Sequence, residues 1–323
     1  MEDMGEDRAK GCFYGCAVGD ALGAPLEFKP RDAVPLVTDM LPSKQFGLSA
    51  GSWTDDTSMM LCLAEALASQ GGVVDGHAAL SRYVAWSRHG YLSVNGVCFD
   101  IGRTVRYALY RYEEGRDPVC DNRTQERSCG NGSLMRLAAV PIVFAAAGEA
   151  VAYEAGVASS LTTHAHPLCT HACGILASLC AKALNGASKA ALLFHLEDLA
   201  ARLPGPCTPL RSRICSGAFM ALSRDEVSSS GYVVDTLEAA LWAFYTTDTF
   251  EAGAVRVVNL ADDADTVGAV YGTLAGAHYG YHAIPQRWLD GLQGRHTLYT
   301  VFAGLDECRG LGVACSTPLD DLA

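Results

Sequence analysis

Apolar side chains recur along this chain at helical rather than alternating spacing nearly everywhere, as at Met59, Leu61, Leu63 and Leu67, at Val151, Ala155 and Ala158, and at Leu237, Leu241 and Phe244. The pattern predicts a mostly α-helical protein. Loop signals interrupt it at Pro30-Arg31, at Gly71-Gly72, across the polar stretch from Asp117 to Cys129, and at Leu203-Pro204-Gly205-Pro206. No break coincides with a change in composition, so the expectation is one all-α domain, with any structural division falling near residues 203–209.

Two segments depart from ordinary helical sequence. Gly11, Gly15, Gly19 and Gly23 repeat every fourth residue, and so do Gly268, Gly272, Gly276 and Gly280. Glycine costs about 1 kcal/mol against alanine inside a helix, so eight such positions require a compensating gain, and close backbone approach supplies one. The same spacing in an apolar 20-residue run would suggest a membrane helix pair. Asp20 interrupts the first stripe, and His278 and Tyr279 lie within the second. The stripes therefore predict tight packing in a soluble core that sets two loops side by side.

Charge narrows the partners. The 323 residues include 36 acidic and 24 basic side chains, giving a net charge of −12, which disfavours nucleic acid because affinity for a phosphate backbone rests on Lys and Arg. No uninterrupted apolar run reaches the roughly 18 residues that span a bilayer. Met1 to Asp7 are acidic and polar, unlike a secretory signal, so a cytoplasmic location is expected. Thirteen cysteines without paired CxxC knuckles read as buried structural thiols.

The chemistry concentrates in two acidic clusters. Thr54-Asp55-Asp56-Thr57-Ser58 leads into the apolar run from Met59, and Asp262-Asp263-Ala264-Asp265-Thr266 leads into the second glycine stripe. Helix N-capping would account for one such residue in each. Two adjacent carboxylates in one cluster and three within four residues in the other exceed that need. Packed together they would repel unless a cation sat between them. Hard oxygen donors without Cys or His point to Mg²⁺, with Mn²⁺ or Ca²⁺ behind it, and the number of oxygens suits two bridged ions.

Other elements are ambiguous taken singly. Gly130-Asn131-Gly132-Ser133-Leu134-Met135-Arg136 precedes a helical run and suits either phosphate oxygens or a plain turn. His164 and His166 stand two apart and do not share a helix face, leaving a sugar or phosphate contact and a satisfied core histidine both open. Glu27 follows Pro25 and reads alone as a loop residue; Asp100 reads alone as a helix cap.

Taken in order, Gly19-Asp20-Ala21-Leu22-Gly23 with Glu27, Trp53-Thr54-Asp55-Asp56-Thr57, Gly130 to Arg136, Thr163-His164-Ala165-His166-Pro167, Gly231 to Glu238 and Asp262 to Thr266 are similar to the ADP-ribosylglycohydrolase family. The likeness covers about residues 10–285. Gly90-Tyr91-Leu92-Ser93 and Cys98-Phe99-Asp100-Ile101-Gly102 resemble its dinitrogenase-reductase-activating branch, whose members remove ADP-ribose from arginine. The resemblance implies a single compact orthogonal helical domain over 10–312, flanked by a flexible N-terminus (1–9) and a tail (313–323), with a dinuclear Mg²⁺ site, Mn²⁺ as substitute, in a cleft. Its ligands would be Thr54, Asp55, Asp56, Asp263, Asp265 and Thr266, with Asp262 outside the shell. Ala261 stands where the family often has Gly, without loss of a ligand. Gly130, Asn131, Gly132 and Ser133 would hold the diphosphate, with Met135, His164 and Tyr232 also on the substrate. Glu27, Asp55 and Asp100 form the implied catalytic set, Asp100 facing the leaving group. The implied partner is an ADP-ribosylated protein or ADP-ribose, and the implied state a monomer. Hydrolysis of ADP-ribosyl-arginine leads the readings. ADP-ribosyl-serine, O-acyl-ADP-ribose, silent binding of ADP-ribose and two-metal phosphoesterase action are the alternatives.

Overall fold

The computed structural model describes residues 4–312. The first half of the chain forms α1 (Met4–Gly23), α2 (Asp55–Ser69), α3 (Gly76–His89), α4 (Arg103–Glu113), α5 (Ala139–Phe144), α6 (Glu149–Leu161) and α7 (Pro167–Leu184). The second half forms α8 (Lys189–Ala201), α9 (Thr208–Ile214), α10 (Val233–Tyr245), α11 (Phe250–Val258), α12 (Ala264–Tyr279), α13 (Gln286–Gly291) and α14 (Arg295–Asp306). Among the described residues there is no β-strand, only isolated bridges that tie loops together. The all-α expectation holds.

Local sequence explains most helix ends. Asp75 caps α3 by accepting from the Ala78 N–H, and Gly90 closes it in the left-handed conformation. Ser188 and Thr249 cap α8 and α11 in the same manner, and Pro167 occupies the first turn of α7. Helices α3 and α4 bury one face only, whereas α7, α10 and α12 are buried almost all round and form the centre. Helix α7 is long and apolar enough to cross a membrane, yet 83% of it lies buried inside the fold, as expected of a core helix.

The glycine stripes meet. Helices α1 and α12 run antiparallel in one register: a Cβ at Gly11, Gly15, Gly19 or Gly23 would overlap the carbonyl of Gly276, Gly272, Gly268 or Ala264 respectively. Ala264, one turn before Gly268, takes the fourth place, while Gly280 ends α12 at φ +87° beside Asp7. This register places the C-terminal turn of α1 against the N-terminal turn of α12, which sets the site.

Residues 4–9, expected in a flexible terminus, form the first turns of α1, with Ala9 buried. The tail from 313 lies outside the described residues. Leu203, Cys207 and Leu210, at and beside the stretch 203–209, pack into the main core. The cysteines described are free thiols, all buried except Cys98.

Candidate active site

Asp20, the acid that interrupts the first glycine stripe, explains why the neighbouring acids are free. It is fully buried on α1 and faces the N-terminus of α2. Its carboxylate accepts from the Thr54 N–H (2.9 Å) and Oγ1 (2.9 Å) and from the Thr57 N–H (3.0 Å) and Oγ1 (2.6 Å). Helix α2 is thus capped from another helix, and neither Thr54 nor Asp263, the residues preceding α2 and α12, makes a capping bond with its own side chain. Capping therefore does not consume Asp55, Asp56, Asp263 or Asp265. Two positive helix ends are aimed at one cluster of carboxylates.

That cluster is short of donors. Thr54 Oγ1 lies 3.3 Å from Asp56 Oδ2 and 3.2 Å from Asp265 Oδ2, and its single proton is already within reach of Asp20. Thr266 Oγ1 donates to Asp56 Oδ2 at 3.3 Å. Asp56 Oδ1 and Asp265 Oδ1 are buried with no partner. Carboxylate oxygens of Glu27, Asp263 and Asp265 lie within 4.8 Å of one another. Burial, then repulsion from neighbouring carboxylates, holds Asp55, Asp56 and Asp265 well above the usual carboxylate range. Burial pushes Asp263 up to about 6. A buried group of oxygen donors that raise one another in this way is suited to a hard divalent cation.

Above the cluster opens a cleft of about 390 Å³. One wall is the segment after α1: Phe28 donates its N–H to the Asp262 carbonyl (2.7 Å), and Asp262 returns one to Lys29 (3.0 Å). The opposite wall is the 129–135 turn, held by Asn131 N–H on the Gly231 carbonyl (3.1 Å) and by Val233 N–H on that of Cys129 (3.0 Å). The N–H groups of Gly132 and Ser133 take part in none of this backbone bonding. The Asn131 amide donates to Asp263 Oδ2 at 2.6 Å, joining the turn to the acids.

His164 closes the far side of that turn. Arg136, fully buried, donates to the hydroxyls of Thr162 (3.0 Å) and Thr163 (2.9 Å) and stacks over the Tyr83 ring at 4.6 Å. Arginine only donates, so the Thr163 proton is left for His164 Nδ1, 2.8 Å away. That assigns the histidine proton to Nε2, on the side of Gly130 and Gly132. Burial, reinforced by the Arg136 charge, lowers His164 to about 3. It is a neutral donor facing the cleft.

Of the residues expected at a site, Glu27, Asp55, Asp100, Gly130, Asn131, Gly132, Met135, His164, Asp263 and Thr266 line this cleft. Thr54, Asp56 and Asp265 lie buried within the adjoining acid cluster. Ser133 does not present its hydroxyl there: that group contacts Ser160 (2.8 Å) and Cys173 (3.4 Å) in the core. Tyr232 stands outside the lining, its backbone bridged to Gly130 at the start of α10. Asp262 does line the cleft. Sequence reasoning passed over Asp20 and Arg136 as site residues, and also Arg103 and Arg127, two cations on the lining. An acid inside a glycine-striped apolar helix was the available signal for Asp20.

The family model described as ADP-ribosylglycohydrolase matches residues 1–312. The ADP-ribosylarginine hydrolase Tri1 of Pseudomonas putida is 43% identical over 285 residues, covering 88% of this chain and 74% of the relative. The ADP-ribosyl-[dinitrogen reductase] glycohydrolase of Rhodospirillum rubrum is 32% identical, covering 88% and 90%. A solved structure described as an ADP-ribosylglycohydrolase-related protein complex superposes with a TM-score of 0.76 at 38% identity, covering 94% of this chain and 99% of the other. With the helix pair, the uncapped acid clusters and the cleft all in place, the chain belongs to the ADP-ribosylglycohydrolase family.

Proposed function

We propose that this protein is a Mg²⁺-dependent hydrolase that removes ADP-ribose from arginine side chains of modified proteins. The observation that carries the reading is the placement of unconsumed carboxylates beneath a cleft with neutral donors on one wall and further carboxylates on the other. Thr54, Asp55, Asp56, Asp263, Asp265 and Thr266 would hold two Mg²⁺ ions, with Mn²⁺ as substitute, although Thr54 Oγ1 is turned toward Asp20. Bound there, the ions would supply positive charge and Lewis acidity at the hydroxyls of the distal ribose.

The remaining chemistry belongs to the chain. The free N–H groups of Gly132 and Ser133 and the His164 Nε2–H suit diphosphate oxygens without requiring lysine. Ser133 would act through its backbone, because its hydroxyl is turned into the core. Glu27, Asp55 and Asp100 meet at the other end, where burial, and then repulsion from Asp265 and Asp100, raises Glu27 and Asp55. There Glu27 or Asp55 would take a proton from the attacking water as its oxygen bonds to the distal ribose C1″. The C–N bond breaks, its electron pair leaves with the guanidine nitrogen, and the proton taken from the water is returned to that nitrogen. Asp100 would pair with the guanidinium, which a neutral hydroxyl leaving group cannot do.

The test is release of ADP-ribose from arginine- and serine-linked peptides, followed by mass spectrometry with Mg²⁺ and then with chelator. Release of intact ADP-ribose from the arginine peptide, lost on chelation and in Asp55→Ala and Asp265→Ala, is expected. No release from either peptide, or AMP as the product, would overturn the reading.

A further inference from the structure

Three phenylalanines from three separate loops meet beside the acids, one of them, Phe28, on the cleft lining. Phe28 follows Glu27, Phe99 precedes Asp100, and Phe46 follows Gln45, whose amide reaches Glu27 Oε2 at 3.4 Å. The Phe46 ring contacts both others, at 6.5 Å from Phe28 edge-on and 5.3 Å from Phe99. Phe28 lines the cleft and is 64% exposed.

Folding alone gives no reason for this exposure. The paired hydrogen bonds to Asp262 hold Phe28 at φ +57°, a left-handed conformation that is strained for a bulky side chain, and Asp100 shares the same φ. A large aromatic ring is thus kept in strain and out of the core, next to carboxylates. The chemical group that uses both features is a planar, delocalised cation. Its edge pairs with a carboxylate while its face stacks on an aromatic ring. A hydroxyl carries no charge, and an ammonium has no planar face to stack.

We infer that Phe28 and Phe46, backed by Phe99, form an aromatic wall that receives the guanidinium of the modified arginine and discriminates it from neutral leaving groups. The inference rests on the arginine reading above. It adds a specificity surface that is separate from the acid cluster and from the phosphate wall.

Agmatine and carbamoylputrescine, in which a neutral ureido group replaces the guanidinium, serve as probes, their binding measured calorimetrically with ADP-ribose present. The wild-type protein is expected to prefer agmatine. Phe28→Leu combined with Phe46→Leu keeps apolar bulk and removes the π faces, so the preference should fall about five- to tenfold. Phe28→Trp should raise it, a gain that a damaged fold would not produce. An unchanged preference in the leucine variant, or a loss in the tryptophan variant, would overturn the aromatic wall. Failure of wild-type protein to release ADP-ribose from an arginine peptide would count instead against the underlying reading, because the binding measurement needs no turnover.

Discussion

A residue that satisfies its neighbours' donors frees other residues for chemistry, and Asp20 does so for Thr54 and Thr57. Thr163 plays the corresponding part for His164, passing on a proton that Arg136 cannot accept. Thr163→Val should leave His164 without a fixed tautomer. We expect about a tenfold rise in KM with a smaller change in kcat, rescue by Thr163→Ser, and altered His164 ring nitrogen shifts by NMR; a wild-type tautomer in the valine variant would refute the assignment. Asp100→Asn keeps the shape and removes the charge. It should lower kcat/KM on arginine-linked substrate by a hundredfold or so and spare the serine linkage, since a charged hydrogen-bonded pair is worth about 1.5–3 kcal/mol. Equal losses on both substrates, measured side by side, would remove its assigned role. Asp55, Asp56, Asp263 and Asp265 were legible because they fall in two short acidic runs of the sequence. Asp20 acts on Thr54 and Thr57, 34 and 37 residues away, and Arg136 on Thr163, 27 residues away, and no local pattern displays those contacts.

At the level of helices, the α1–α12 pair shows how a locally unfavourable composition specifies a global arrangement. Each glycine weakens its own helix and permits carbonyl contact with the other, so the pair has one register only. Gly15→Ala places a Cβ into the Gly272 carbonyl and should destabilise the protein by about 3 kcal/mol, since neither backbone can yield without moving the site. Gly304→Ala in α14 meets nothing within 4 Å and should stabilise by about 0.5–1 kcal/mol. Urea unfolding of the two variants measures the contrast. A similar sign in both would mean that close approach is not what the stripe provides. The stripes and their packing together were readable from spacing. Which alanine replaced the fourth glycine in the contact, and that Gly280 ended the helix instead, depended on the register itself.

For the molecule as a whole, the net charge of −12 matters mainly where it is concentrated. Burial raises Asp20 and Asp263 to about 6, above their ordinary value of 3.8. The native state therefore holds protons that the unfolded chain releases between about pH 4 and 6. In chelator, this contribution to stability is complete below the lower value and is lost as the pH rises through the higher one. Mg²⁺ binds the deprotonated carboxylates of the native state, so its stabilisation should grow as the pH rises. Thermal melts at pH 5 and pH 7.5 check this: the shift in Tm on adding Mg²⁺ should be several degrees larger at the higher pH. Equal shifts would mean that the buried acids do not form the cation site.

The sequence by itself determined the helical class, the glycine contact and the two acidic runs, because periodicity, small-residue spacing and adjacent carboxylates are local properties of a chain. Only the tertiary structure decided that Asp20 would cap α2 from outside, that the Ser133 hydroxyl would turn inward, and that Phe28, Phe46 and Phe99 would stand together over Glu27 and Asp100. Each of these depends on segments distant in sequence meeting at a few ångströms. That distance is set by the α1–α12 register and by the paired backbone hydrogen bonds at Asp262, not by the propensity of any single segment.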